Sequence, residues 1–155
     1  MEHLTRIKVQ QEDFNLADEY AVLGNQADCG AIVSFIGSVR ELAGDSLLSM
    51  TLEHYPGMTE KSLLQITEQA RQRWPLGNIT IIHRIGTLSV NEQIVLVLVS
   101  SAHREAAFRA CEFIMDFLKT RAPFWKKEQT TAAGYWVEAK DSDNQAAQRW
   151  SSPES

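Results

Sequence analysis

The sequence predicts an α+β domain with a largely antiparallel sheet. Segments of strand length and helical patterns follow in the order strand, helix, strand, strand, helix, strand, strand, helix, strand. Two pairs of strands follow one another without an intervening helix, which favours antiparallel pairing over parallel βαβ units. The chain has 155 residues, of which 44% are hydrophobic. That size suits one domain with its own core, which we expect over residues 1–150.

The first half of the chain contains three expected strands and one helix. Apolar and polar residues alternate over residues 7–9, as in a short strand. Asn15 can cap the helix that follows, because its side chain can accept from free backbone N–H groups. Residues 30–36 (GAIVSFI) indicate a buried strand, and residues 41–46 a loop. Residues 48–52 alternate again, which predicts a half-buried strand.

The middle of the chain predicts a helix and two further strands. Pro56-Gly57 is a turn signal, and apolar residues recur at helical spacing from Leu63 to Trp74. Pro75 ends that helix, since proline cannot continue it. Residues 78–85 and 93–100 are expected strands. The second is nearly all leucine or β-branched, which is typical of a central strand.

The last long helix is expected to begin with a cap at Ser100 or Ser101 and to end before Pro123. Its apolar stripe runs from Ala107 to Leu118 and includes Cys111, which we expect in the core. After it we expect a last strand, a turn of helix and a loose tail, at residues 134–138, 146–150 and 151–155.

Composition and motifs exclude several classes of function. The net charge of −5 argues against a general nucleic-acid binder. The two cysteines, Cys29 and Cys111, lie far apart without histidines at metal spacing, so we expect no metal and a reduced, cytoplasmic setting. Residues 1–10 lack the apolar core of a signal peptide, and no apolar run could span a bilayer. No phosphate-binding glycine loop, dinucleotide fingerprint or nucleophile elbow is present, and we expect no cofactor.

A basic cluster at residues 113–128 (FIMDFLKTRAPFWKKE) is the most informative stretch. Between Phe117 and Lys127 it holds four cations and no acid. Cations at a helix end are common, because they complement the helix dipole. Here, however, Pro123, Phe124 and Trp125 separate two basic pairs, which suggests a walled pocket. A lysine in such a pocket can serve as an acid, a base or a nucleophile. The interpretation as solvated surface lysines remains open.

Two further segments could bind an anion. In residues 100–108 (SSAHREAAF) a strand ends and a helix begins, so His103 and Arg104 lie beside free backbone N–H groups. In residues 35–40 (FIGSVR) Gly37 follows a buried strand, and Arg40 stands at the mouth of a loop. A plain surface position is the alternative for each. Strand-end histidines are more often packing residues, so we expect His54 and His83 to lie outside the active site.

Four blocks of the sequence resemble the large subunit of molybdopterin synthase. They are LEHYPGMTEKSL (52–63), RWPLGNITIIHRIG (73–86), SSAHREAAF and FIMDFLKTRAPFWKKE, and the similarity extends from about Val33 to Trp150. The resemblance implies an α/β hammerhead-like fold with an added small β subdomain. It also implies an enzyme of molybdenum cofactor biosynthesis. That enzyme is a sulfurtransferase that moves two sulfurs onto cyclic pyranopterin monophosphate to make the dithiolene of molybdopterin.

The same resemblance implies partners and site residues. The sulfur donor would be a ubiquitin-like small subunit whose C-terminal Gly-Gly carries a thiocarboxylate. Two large subunits would form the core of a heterotetramer. Lys119 and Lys126 match the catalytic lysines. The substrate-binding positions are Arg40, His103, Arg104, Lys127, Gly37 and Ser38. The family often has a lysine where this chain has Ser38.

Physical chemistry agrees with that assignment. A phosphate and a thiocarboxylate are both anions, so a cationic cluster would offset their repulsion. Two alternatives belong to other classes. A module that only binds phosphate-bearing ligands or RNA would show no turnover, and a scaffold that merely holds the carrier would keep full activity without Lys119.

Overall fold

The computed structural model describes residues 3–41, 47–130, 134–137 and 141–151. Most of the expected loop at 41–46, the end of the expected last strand at Glu138 and the expected tail beyond Ser151 lie outside these residues. In chain order the elements are β1 (Thr5–Gln10), α1 (Leu16–Leu23), β2 (Ala31–Ser38), β3 (Leu47–His54), α2 (Met58–Arg73), β4 (Leu76–Arg84), β5 (Gly86–Leu88), β6 (Gln93–Ser101), α3 (Arg104–Arg121), β7 (Phe124–Thr130), β8 (Gly134–Val137) and α4 (Asp141–Gln148).

The first sheet has the strand order β1-β4-β6-β2 and is covered on both faces. β1 and β4 are parallel, and the other pairs are antiparallel. Ile79 and Ile81 pack in one core with α2 and α3, while Ile82 packs in another with Phe14 and Leu23. Burial on both faces explains why β4 and β6 are almost continuously apolar.

The second sheet has the order β5-β3-β7-β8, with every pair antiparallel. Its small core comprises Val39, Met50, Leu52 and Leu88. This sheet corresponds to the small β subdomain that the sequence led us to expect. Helices and two largely antiparallel sheets confirm the predicted α+β class.

The C-terminal helix packs against α3 through a buried tryptophan. Trp150 is 3% exposed and meets Trp74 and Phe113 edge to face, at 5.7 and 5.5 Å between ring centroids. Its indole Nε1 donates to Asp116 Oδ2 at 2.6 Å. The single turn of helix expected at 146–150 is in fact a helix of eight residues, α4, followed by this tryptophan.

Of three expectations about local structure, one was wrong and two were confirmed. Ser100 and Ser101 do not cap α3, because their hydroxyls donate to the carbonyls of Asn78 and Pro75 within the sheet. The N-cap is His103, which makes no side-chain cap bond. The Asn15 cap is confirmed, with its Oδ1 accepting from Asp18 N at 3.1 Å. Cys111 is buried in the core, as expected, and burial raises the pKa of its thiol to about 12.

Candidate active site

Lys119 lies in the last turn of α3, which runs back across the first sheet after β6 ends. Its side chain is exposed, and it makes no hydrogen bond or ion pair with any residue that the structure describes. The neighbouring Arg121 is engaged differently. It donates to Gln69 Oε1 at 3.0 Å and lies 4.0 Å from the centre of the Phe117 ring. Of the two helix-end cations, Lys119 is therefore the one available to a ligand.

Lys126 lies on β7. The sequence suggested a pocket wall at this place but did not predict a strand. Phe124, Lys126 and Glu128 share one face of β7, while Trp125 and Lys127 share the other. Lys126 Nζ lies 3.4 Å from Glu128 Oε1, and the Glu128 side chain is buried. The cluster that appeared acid-free in sequence thus ends in a lysine–carboxylate pair, and Lys127 points away from Lys126.

The described residues supply only part of the expected pocket walls. Phe124 is partly buried, but Trp125 is half exposed on the opposite face of the strand. The Pro123 carbonyl accepts from Thr59 Oγ1 at 3.0 Å, which fixes the bend between α3 and β7 to the start of α2.

His83 lies where these elements meet, as the packing residue that the sequence led us to expect. Its ring is 5% exposed and stacks on Phe124, with 3.8 Å between centroids and 19° between planes. Burial lowers the pKa of His83 to about 4. The hydrogen bond to the Arg84 carbonyl opposes this shift, and the charges of Lys119 and His54 add to it. His83 is therefore neutral at pH 7, close to Lys119.

His54, the second histidine placed outside the site by sequence reasoning, also belongs to this junction. It ends β3 opposite Phe124. Its Nε2 lies 3.6 Å from Glu60 Oε1, and Glu60 Oε2 accepts from Gly57 N at 2.7 Å. No local sequence signal identifies either histidine, because 36 residues separate His83 from Lys119. The only clue is that both close a strand.

Gly37, Ser38 and Arg40 lie at the end of β2, next to the start of β6. A side chain at Gly37 would place its Cβ 2.9 Å from Val95 Cγ1, so the glycine permits close packing of β2 on β6. The pairing register shifts between Gly37 and Ser38. Ser38 and Arg40 are exposed, and Arg40 makes no hydrogen bond or ion pair within the described part of the chain.

His103 and Arg104 lie at the opposite end of the same sheet. Ala31 pairs with Ser101 at that end, and Ser38 pairs with Gln93 at the other. At about 3.3 Å per residue, β6 separates the two ends by roughly 25 Å. Both His103 and Arg104 are exposed at the start of α3. Within one chain, Arg40 therefore cannot join them around one small anion.

A cavity of about 300 Å³ opens near the His103 end, lined among others by Cys29, Arg71 and Trp74. Arg71 offers a ligand nothing there, because its five N–H donors are already used. They bond to the carbonyls of Leu4, Leu76 and Gly77 and twice to Thr5 Oγ1. The cavity is therefore not an alternative anion site.

Comparison with known proteins identifies the family. The model of the family described as MoaE protein matches residues 9–121. The chain belongs to the MoaE family. A "Molybdopterin synthase catalytic subunit" from Vibrio cholerae is 60% identical over 151 residues, covering 97% of this chain and 99% of that protein. A MoaE structure from Burkholderia ambifaria is 45% identical with a TM-score of 0.83, covering 96% of this chain and 99% of that one.

A second solved structure shows the fold alone, because it is only 18% identical. It comes from a complex of subunits 1 and 2 of molybdopterin-converting factor from Helicobacter pylori. Its TM-score is 0.70, and it covers 87% of this chain and 90% of that one. The full-length relatives confirm the predictions of the family and of an enzyme. This MoaE chain acts as a molybdopterin synthase catalytic subunit in molybdenum cofactor biosynthesis. No helix among the described residues is long and apolar enough to cross a membrane.

Proposed function

We propose that Lys119 and Lys126 form the sulfur-transfer site of this enzyme and act on a thiocarboxylate delivered by the tail of a ubiquitin-like carrier. The observation that supports this most is the His83–Phe124 stack. Lys119 approaches it from α3, and Lys126 follows Phe124 on the same face of β7. In the proposed site, cations from these two separate elements act together beside the stack. The carrier and the reaction fit a cytoplasmic location.

The proposed chemistry needs positive charge and proton transfer at this place. The thiocarboxylate sulfur forms a C–S bond to a precursor carbon and displaces an oxygen substituent there, which takes up a proton as it leaves. Water then attacks the acyl carbon and cleaves the acyl–sulfur bond, which releases the carrier as a carboxylate and leaves the sulfur on the precursor. Two such cycles give the dithiolene. Lys126, paired with buried Glu128, is held in position to offset the negative charge of the acyl group. Lys119 has no competing partner among the described residues and is suited to proton transfer.

The substrate phosphate is proposed to bind Arg40, His103 and Arg104, with Gly37, Ser38 and Lys127 contributing to the same substrate site. Because a single chain holds Arg40 roughly 25 Å from Arg104, such a site requires a second copy of the chain. His103 and Arg104 of one copy would then complete the Lys119 site of the other. A homodimer, at the centre of a heterotetramer with two carriers, satisfies this requirement.

Arg104→Ala is expected to weaken binding of the phosphate-bearing precursor about 10- to 100-fold, because a charge-assisted hydrogen bond contributes about 1.5–3 kcal/mol. Titration calorimetry with the precursor measures this. Mixing Arg40→Ala and Arg104→Ala chains tests the shared site, at a precursor concentration low enough that neither variant alone shows appreciable turnover. Random exchange leaves one intact site in each mixed dimer, so about a quarter of the wild-type activity should return.

Two outcomes would contradict the shared anion site. One is a mixture of the two variants that stays inactive although the subunits exchange. The other is a chain that light scattering shows to be monomeric at micromolar concentration. An unchanged dissociation constant in all three single variants, at Arg40, His103 and Arg104, would place the phosphate elsewhere.

Reconstitution tests the function itself. The purified chain, a thiocarboxylated carrier and the precursor should yield molybdopterin with two carriers consumed per product. The matched control is the same carrier ending in an ordinary carboxylate, which should bind and give no product. Binding of the thiocarboxylated carrier and precursor without any turnover would reduce this chain to a binding module.

A further inference from the structure

His83 stands out among the groups that the proposed mechanism does not use. It is a buried, titratable side chain near the end of an apolar strand. It stacks on Phe124, two residues before Lys126 on β7, and the charge of Lys119 acts on it. The residues of β4 on the same face, Ile79 and Ile81, are fully buried aliphatic side chains that pack against α2 and α3. An aliphatic residue at position 83 would continue that pattern. The presence of a histidine at this position must therefore be explained by the groups that its ring contacts.

The ring is held in one orientation by a hydrogen bond. His83 Nδ1 lies 2.8 Å from the Arg84 carbonyl oxygen. A carbonyl oxygen can only accept, so Nδ1 carries the proton and donates it. Arg84 is itself fixed, since its guanidinium donates to the carbonyls of Gln11 and Gln93. The imidazole is thus attached to the rigid part of the first sheet.

The other side of the ring supports the second sheet. Phe124 lies on His83 at 3.8 Å between centroids and is the first residue of β7. It pairs with His54 of β3, and its neighbour Pro123 accepts a hydrogen bond from Thr59. The stack is therefore a direct contact between the sheet that carries α3, with Lys119, and the strand that carries Lys126.

We propose that His83 is a positioning residue for sulfur transfer: its ring, stacked on Phe124, sets the separation between Lys119 of α3 and Lys126 of β7. This inference rests on the proposed roles of the two lysines. His83 touches neither substrate nor carrier in this scheme and acts only through Phe124. Its neutral state at pH 7 fits that role, since a cationic ring would repel Lys119.

Two substitutions separate the two functions of the His83 ring, which are stacking on Phe124 and donation to the Arg84 carbonyl. His83→Asn keeps an N–H donor near the position of Nδ1 and removes the stacking surface. His83→Phe keeps a stacking ring and removes the donor to the Arg84 carbonyl. A displacement of about 1 Å at a reacting group can cost about 100-fold in rate. We therefore expect His83→Asn to lower kcat by about 10- to 100-fold, with KM for carrier and precursor changed less than about 3-fold.

His83→Phe should keep kcat within about 3-fold of wild type, even though its melting temperature falls because the Arg84 carbonyl loses a donor. Ile81→Val serves as the matched control, since Ile81 is buried on the same face of the same strand, two residues away. It should lower the melting temperature and leave kcat unchanged. All rates are taken per folded chain, with the folded fraction measured by circular dichroism at the assay temperature.

Lys119→Ala, assayed in parallel, separates this inference from the proposed function. If Lys119→Ala is inactive and His83→Asn keeps wild-type kcat per folded chain, the positioning role of His83 is wrong, while the proposed site at Lys119 and Lys126 is supported. Equal loss of kcat in His83→Asn and His83→Phe would also overturn the role of the stack and assign the effect to the hydrogen bond. Full activity of Lys119→Ala would remove the site on which the inference depends.

Discussion

Lys119→Ala is expected to abolish product formation, by about 1,000-fold or more, and to leave the fold intact. The side chain is exposed and makes no hydrogen bond or ion pair with the residues that the structure describes. Its removal should therefore change the free energy of unfolding by no more than about 0.5 kcal/mol. Molybdopterin formation and thermal melting of the same preparation measure the two effects.

Lys8→Ala is the matched control for Lys119→Ala. Lys8 is an exposed lysine on the edge strand β1, so its removal changes the net charge of the chain by the same amount on a different element.

Lys119→Arg separates two roles for the catalytic side chain. Arginine keeps the positive charge but does not lose a proton in proteins. If Lys119→Arg turns over faster than Lys119→Ala, the role of Lys119 is electrostatic. If Lys119→Arg is inactive, Lys119 transfers a proton. Near-normal turnover of Lys119→Ala would show that the catalytic assignment is wrong.

The sequence predicted those elements whose signals are local. Asn15 marks the start of α1, and Pro75 and Pro123 mark where two helices have ended. The apolar runs of β4 and β6 are long enough to indicate strands buried on two faces. Each of these signals depends on neighbours within a few residues, so no knowledge of the tertiary structure was needed.

β7 could not be predicted in this way, because its sequence FWKKEQT has no apolar face beyond its first residues. Its strand conformation depends on pairing with β3, more than 70 residues earlier, and with β8. The same non-local pairing decides which side Lys126 and Lys127 face. For this reason the sequence drew attention to the basic cluster but predicted no strand at residues 124–130.

Prediction of the candidate site was limited in the same way. Lys119 and Lys126 were predicted from charge pattern and family resemblance. In the structure the charge of Lys119 acts on His83, and Lys126 lies two residues after Phe124 on the same face of β7. The separation of Arg40 from Arg104 follows from the register of β2 on β6, which no single segment encodes. Neither the second copy of the chain in the proposed shared site nor the proposed role of His83 could be derived from local patterns.

A carrier that lacks its two terminal glycines is expected to bind this chain and transfer no sulfur. The donor sulfur must reach Lys119 at the junction of α3 and β7, and a folded domain is too broad to enter between them. A Gly-Gly end has no side chains, so its backbone can approach closely. Ordering that tail costs about 1–2 kcal/mol per residue, which the cations at Lys119 and Lys126 offset in part by pairing with the terminal anion.

Two measurements on the same carriers test this expectation. Calorimetry should give dissociation constants for the truncated and full carriers that differ by less than about 10-fold, while only the full carrier supports turnover. In the second, chemical activation of the full carrier's terminal carboxylate should let the Lys119 amine displace the activating group and form an amide. Mass spectrometry of the digested complex locates that bond. Because Lys119 is exposed and Lys126 is paired with Glu128, the bond is expected at Lys119. Consistent cross-linking to a lysine outside 119–127, such as Lys8 or Lys61, would show that the tail enters elsewhere.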